Sequence, residues 1–324
     1  MRYLDAFFFL RPLLLAPAAT MFLIGRDAGR AAVASGLQVI ARSASGATLV
    51  TVVGAAVALC VALVATHIIN QLADRESDRV NAKLPILAAG LVTPRGAAAL
   101  LAGLALAFFA ALAAVPPQLR LIEVVALLLG IAYSAPPLSL KTRAGWDLAA
   151  NALGYGGIAF AIGWGTAAPL AWGRLASSAL PWVLAVGGVF AATTVADEAG
   201  DRAAGQGTLG VRLGPRRARV AALFFMAGAA AAAAVVSARA PLFLSLATLP
   251  VLALPILRPS RAADHVAFQV SAAIPTLYAA ARRPLFAAVL LILVVATRTY
   301  FGLRFGIRYP AFGESRRADG TPRV

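Results

Sequence analysis

Six of the 13 acidic residues in this 324-residue chain fall in two short stretches. "NQLADRESD" (70–78) carries Asp74, Glu76 and Asp78, and "DEAGD" (197–201) carries Asp197, Glu198 and Asp201. Asn70, Asp74 and Asp78 recur at every fourth position, as do Asp197 and Asp201. In a helix that spacing puts each set on one face. Each stretch closes a long apolar run, so the carboxylates crowd at the edge of the membrane-like segment before them. Clustered carboxylates at that depth repel one another unless a cation offsets them. An oxygen-only ligand set suits Mg²⁺, which keeps waters and bridges protein carboxylates to substrate phosphates. The bland alternative for the first stretch is an ordinary helix end in water, where the acids of "DRESDR" pair with Arg75 and Arg79. Two clusters at the ends of two apolar runs, both on one predicted side, weigh against it.

The basic residues extend the pattern. The chain has two lysines, Lys83 just after the first acidic stretch and Lys141 after "YSAPPLSL". Acidic helix ends with cations nearby describe a site for a metal-bound, highly charged anion, and a diphosphate fits. The competing reading of each lysine is a topology marker. His67 lies about two turns before Asp74 on the same helical face and reads first as a helix–helix hydrogen bonder, not as a base. Cys60, the single cysteine, sits in an apolar run and reads as an inert buried thiol.

The elements that hold these residues are membrane helices. The chain is 61% hydrophobic, where soluble domains sit nearer half. It repeatedly offers the roughly 20 apolar residues a spanning helix needs and lacks the short alternating segments of a membrane β-barrel. The expected fold class is all-α, a polytopic bundle of about nine transmembrane helices around a central cavity. The predicted spans are 4–25, 46–72, 97–115, 119–134, 148–170, 177–197, 218–238, 241–257 and 284–302. The stretch 262–281 is left open between an interfacial helix and a tenth span, because it holds Asp264, His265 and Gln269 and precedes Arg282 and Arg283. The first run reads as a span and not as a cleaved signal peptide. A single domain is expected over 1–309, followed by a loose polar tail over 310–324.

The net charge of +16 would suggest nucleic acid in a soluble protein; here it marks loops and headgroup contacts, and no nucleic-acid partner is expected. Arg75, Arg79, Lys83 and Arg95 follow the second span, Lys141 and Arg143 the fourth, Arg202 to Arg219 the sixth, and Arg258, Arg261, Arg282 and Arg283 the eighth. The positive-inside rule puts those loops, the N-terminus and the acidic stretches in the cytoplasm. The basic C-terminal tail conflicts with nine spans and agrees with ten. Richness in Ala, Arg and Gly suggests a high-GC bacterial genome, hence a bacterial inner membrane.

Taken in order, these segments resemble the UbiA superfamily of intramembrane prenyltransferases. "NQLADRESD" is similar to the first family motif and "DEAGDRAAGQGTLGVRLG" (197–214) to the second. "YSAPPLSLK" (133–141) resembles the segment after the fourth helix, and "LRP" (10–12) the Arg-Pro of the first. The resemblance covers about residues 8–215. It implies nine helices around a cavity open laterally to lipid, in which Mg²⁺ held by two Asp motifs binds a prenyl diphosphate. Loss of diphosphate gives an allylic cation, which a membrane-soluble acceptor attacks. Metal and cations stabilise the charge that develops on the leaving group, and a dry cavity shields the allylic cation. Carried over by position, Asn70, Asp74 and Asp78 would hold one Mg²⁺, and Asp197 and Asp201 another. Arg11, Lys83, Tyr133, Lys141 and Arg143 would contact the diphosphate or shape its pocket, with a weaker case for Ser134. Tyr133 also reads as an interfacial belt aromatic.

The chain departs from the family pattern at Leu84, where many relatives place an arginine, which removes one expected diphosphate contact. The acceptor is open: the "TLGVRLG" tail looks unlike the haem-modifying and main 4-hydroxybenzoate branches. "YSAPPLSLKTRAGW" has some flavour of the chlorophyll-synthase and quinone-precursor branches. Two other readings stand beside transfer to an acceptor. A terpene cyclase on the same scaffold would ionise the same diphosphate without an acceptor pocket. A transporter would place its acids near mid-membrane rather than at helix ends.

Overall fold

In lipid a backbone must satisfy its own hydrogen bonds, so apolar runs of this length fold as helices. The computed structural model describes residues 2–35, 48–74, 90–307 and 309–310, and the expectations for Asp78, Lys83 and Leu84 fall outside them. Helix α1 (Arg2–Phe9) leads through a 3₁₀ turn, Pro12–Leu15, into α2 (Ala16–Ala34). Then come α3 (Leu49–Ala73), α4 (Pro94–Ala113) and α5 (Pro117–Ser134). A broken helix follows: α6 (Trp146–Asn151), a π-helical stretch (Ala152–Ala159) and α7 (Phe160–Gly165). The last five are α8 (Trp172–Ala203), α9 (Leu209–Val235), α10 (Arg239–Leu257), α11 (Arg261–Ala281) and α12 (Pro284–Phe305).

Among the described residues, eight helices, counting α1 and α2 as one, are long and apolar enough to cross a membrane. The path 146–165 matches another predicted span. The remaining one is α11, whose 21 residues reach about 32 Å at 1.5 Å per residue, enough for a bilayer core of about 30 Å. Its polar start is satisfied internally: Arg219 Nε and Nη2 donate to the two carboxylate oxygens of Asp264 at 2.8 and 2.7 Å. That buried bidentate pair lets the segment join the bundle, against α2, α8 and α10.

Because α11 separates them, Arg282 and Arg283 do not lie with Arg258 and Arg261. They lie at the other end of the bundle, where both pair with Asp27 of α2. The end of α12 returns to the side of α1, where Tyr300 donates to Asp5 at 2.7 Å and Arg304 reaches the same oxygen at 3.3 Å. The described ends of the chain therefore lie together.

Small residues set the closest crossings, as in other membrane bundles. A Cβ on Gly25 would run into the Phe160 carbonyl, and one on Gly163 into the Phe22 carbonyl, so α2 and α7 touch backbone to backbone. Phe22, Phe160, Trp164 and Trp182 are buried around this crossing. Large apolar side chains such as Leu106, Phe109, Phe224 and Leu285 point outward, as a lipid-facing surface requires.

Candidate active site

The last turn of α3 carries Asn70, and Asp74 caps it, its N–H donating to the Asn70 carbonyl at 2.9 Å. The side chains of both meet one cation. Lys141 Nζ donates to Asn70 Oδ1 at 2.7 Å and to Asp74 Oδ1 at 2.6 Å, and Ser134 Oγ donates to Asn70 Oδ1 at 3.3 Å. Lys141 comes from a 3₁₀ turn, Leu140–Thr142, beyond the end of α5. Sequence reasoning gave the lysine to the diphosphate and the oxygens to a metal; here the ammonium sits between the two oxygens.

The last turns of α8 supply the second acidic pair. Asp201 is buried, and its Oδ2 accepts a hydrogen bond from Thr208 Oγ1 at 2.9 Å. Thr208 is the N-cap position of α9, so the loop after α8 folds back onto the helix that precedes it. This return is tight: a Cβ on Gly210 would collide with the Thr194 carbonyl of α8.

A third acid, missed in the sequence, fastens the two loops together. Asp147 is fully buried. Its Oδ1 accepts from the Gly145 and Leu148 N–H groups at 2.8 Å each, and its Oδ2 from the Leu209 N–H at 2.7 Å. It thus caps its own helix and satisfies a first-turn donor of α9, 62 residues away. Beside it, the Ala144 N–H donates to the Gly207 carbonyl at 2.8 Å, and Arg143 forms a parallel bridge with Gly207. The only hint in the sequence was an acid in a helix's first turn. The partner loop was not readable.

These elements enclose a cavity of about 380 Å³. Asn70, Asp74, Asp197 and Asp201 line it, and with them Arg11, Tyr133, Ser134 and Lys141. The two acidic stretches thus face one space. Arg11 sits at φ 53°, a left-handed backbone rare for a non-glycine residue and of the kind that collects at functional sites. Below the polar rim an apolar limb runs between α3 and α5, past Ala62, Leu59, Ala126 and Leu129. Arg143 is outside the lining. Its backbone is tied to Gly207, and its guanidinium donates instead to the Pro137 carbonyl at 2.9 Å. His67 lines the cavity; its ring hydrogen-bonds the Leu10 backbone of another segment, the structural role expected of it, while its Nδ1 is buried without a hydrogen-bond partner.

Among the described residues no three His, Cys, Asp or Glu side chains converge into a closed metal centre. The donors are split between the ends of α3 and α8 and are all oxygen. That arrangement fits a hard cation shared with phosphate oxygens better than an all-protein cage.

Comparison with known proteins agrees with this geometry. The family model described as the UbiA prenyltransferase family matches residues 31–268, from α2 into α11, and leaves α12 beyond it. A UbiA homologue from Archaeoglobus fulgidus, bound to GPP and Mg²⁺, shares the fold with a TM-score of 0.66 at 21% identity, over 87% of this chain and 99% of that one. The apo structure of a homologue from Aeropyrum pernix K1 has a TM-score of 0.62 at 21% identity, over 86% and 96%. A structure reported for digeranylgeranylglyceryl phosphate synthase has a TM-score of 0.60 at 16% identity, over 90% and 98%. No curated protein matches the chain in sequence.

Proposed function

The chain belongs to the UbiA prenyltransferase family, and from that premise we propose that it transfers a prenyl group from a prenyl diphosphate to a membrane-soluble acceptor in the cavity under Asn70, Asp74, Asp197 and Asp201. The observation that carries this reading is the shape of that cavity: two acidic helix ends and two cations at a polar rim, above an apolar limb. A diphosphate suits the rim and an isoprenoid chain the limb. The A. fulgidus homologue of similar fold is bound to GPP and Mg²⁺, which supports a prenyl diphosphate as donor.

Asn70, Asp74, Asp197 and Asp201 would hold Mg²⁺, with Asp78 added from the sequence motif. A Mg²⁺ held there would supply charge neutralisation that makes the diphosphate a better leaving group. Lys141 and Arg11 donate to phosphate oxygens, and their charges favour the state in which negative charge builds on the leaving group. For Lys141 this means leaving its position between Asn70 and Asp74, so the site exchanges an internal ion pair for a ligand. The carbon–oxygen bond breaks with its electron pair on the diphosphate; the acceptor then bonds to the allylic carbon and gives up a proton. The apolar walls exclude the water that would otherwise capture that carbon. Arg202, Arg212, Arg216 and Arg217 follow the second acidic pair in sequence, which favours a cytoplasmic active site, and the Ala-, Arg- and Gly-rich composition favours a bacterial inner membrane.

The test is turnover of full-length protein in lipid nanodiscs with Mg²⁺, labelled geranyl and farnesyl diphosphates and a panel of aromatic and lipid acceptors. Prenylated product from wild type, and loss of at least a hundredfold in Asp74→Asn and Asp201→Asn, is the expected result. Undiminished product from both variants would refute the assignment.

A further inference from the structure

A second cavity, of about 410 Å³, opens beside the first and shares Leu14, His67, Asn151, Tyr155, Phe190 and Thr193 with it. It lies among α2, α8, α10 and α11, away from the apolar limb between α3 and α5. Its composition is distinctive. No residue of its lining carries a formal charge, while hydroxyl side chains occur on all four helices, and Trp182 and Phe268 add flat apolar faces. Most of those hydroxyls are already spent. Thr20 donates to Thr276, Thr276 to the Ala272 carbonyl, Thr248 to the Leu244 carbonyl, and Thr193 to the Val189 carbonyl.

Two polar groups on this wall are buried and lack partners: Ser271 Oγ on α11 and His67 Nδ1 on α3. An unpaired buried polar atom is unfavourable, and a ligand that pairs with it recovers that cost. Small-molecule pockets have this form, an apolar wall with a few placed polar groups.

We propose that this second cavity is the acceptor chamber, and that the acceptor is an uncharged ring compound with a hydroxyl group directed at His67 and a second polar group within reach of Ser271. The proposal rests on the donor-site reading above and deepens it. The diphosphate-bearing substrate already has its apolar limb along α3 and α5. That leaves the second cavity for the other reactant. His67 stands where the two spaces meet, so an acceptor hydroxyl held there faces the allylic carbon. An acceptor whose carboxylate or phosphate must enter this chamber is disfavoured, because no lining cation would offset the desolvated charge. His67 is here a positioning residue, holding the acceptor by a hydrogen bond.

The experiment measures saturable binding to full-length protein in nanodiscs. The probes are 1-naphthol, its anionic counterpart 1-hydroxy-2-naphthoate, 1-methoxynaphthalene, and the unreactive geranyl and farnesyl thiolodiphosphates with Mg²⁺. Wild type should bind 1-naphthol at least tenfold more tightly than the carboxylate and several-fold more tightly than the methyl ether. His67→Leu should erase the preference over the ether, which a loss of packing alone would not do. Ser271→Phe, which fills the chamber, should weaken 1-naphthol at least tenfold and leave both thiolodiphosphates unchanged. That unchanged donor binding also shows the variant is folded, and Ser271→Ala should weaken 1-naphthol several-fold without filling space. Equal or tighter binding of the carboxylate, a naphthol affinity indifferent to Ser271→Phe, or a weakened farnesyl probe in that variant overturns the chamber assignment while the donor site stands. The last outcome would make the cavity a prenyl-chain tunnel. Wild type that binds no thiolodiphosphate overturns the donor site, and this inference with it.

Discussion

Removing Asp147 should cost both stability and activity, although the residue is absent from the cavity wall. Its carboxylate accepts three backbone N–H groups, from Gly145, Leu148 and Leu209, and it is fully buried. Asp147→Ala leaves three backbone donors without their partner, that of Leu148 buried. At about 1–3 kcal/mol for each stranded group, with partial relaxation, a loss of about 3–5 kcal/mol is expected. Asp147→Asn can keep the two bonds to Oδ1 but sets an amide N–H against that of Leu209, so about 1–3 kcal/mol is expected. The Leu209 bond holds the start of α9, and the neighbouring Thr208 donates to Asp201. The same variants should therefore weaken Mg²⁺-dependent binding of a prenyl thiolodiphosphate. Thermal unfolding in one detergent, with donor titrations well below the melting temperature, gives both readouts. The predicted order of damage is Ala over Asn over wild type in both. A melting temperature of Asp147→Ala within error of wild type, with full donor affinity, would refute the latch argument.

Four further outcomes follow from other contacts. Lys141→Glu should weaken thiolodiphosphate binding tenfold to a hundredfold, from about 1.5–3 kcal/mol for a charge-assisted hydrogen bond. Arg143→Ala, which removes only a bond to the Pro137 carbonyl, should stay within a few-fold in the same titration. Because Lys141 occupies the gap between Asn70 and Asp74, Lys141→Met should bind Mn²⁺ alone more tightly than wild type, measured by paramagnetic resonance; weaker binding would count against the lysine as the metal's competitor. Gly163→Leu forces a side chain into the Phe22 carbonyl and should cost at least about 1–3 kcal/mol as overpacking, seen as a lower melting temperature.

Residue spacing alone made part of the site legible. Asn70 with Asp74, and Asp197 with Asp201, are one helical turn apart, and each pair closes an apolar run; a helix that crosses the membrane must then present them at its end. What the sequence hid were pairings made across long stretches of chain. Asp264 helped leave 262–281 open between an interfacial helix and a span, because hydropathy counts an acid without its partner. The partner is Arg219, 45 residues earlier. Asp147 was not singled out, because its distant partner is a backbone N–H, which has no signature in residue type. Arg143 looked like another site cation by proximity to Lys141, but the Gly207 bridge turns that strand of loop and carries its side chain out of the cavity. The π-helical stretch 152–159, which brings Gly154 and Tyr155 to the cavity wall, has glycines as its only trace in the sequence.

The central claim is that the two acidic helix ends act together, through a divalent cation, on one diphosphate. The most direct measurement is binding of geranyl thiolodiphosphate to purified full-length protein, with and without Mg²⁺, for wild type, Asp74→Asn and Asp201→Asn. The account predicts binding to wild type that requires Mg²⁺, and a loss of tenfold or more in each variant. Two variants on helices far apart in the chain should thus fail in the same way. Mg²⁺-independent binding, or a loss in one variant with normal affinity in the other, would contradict a shared site.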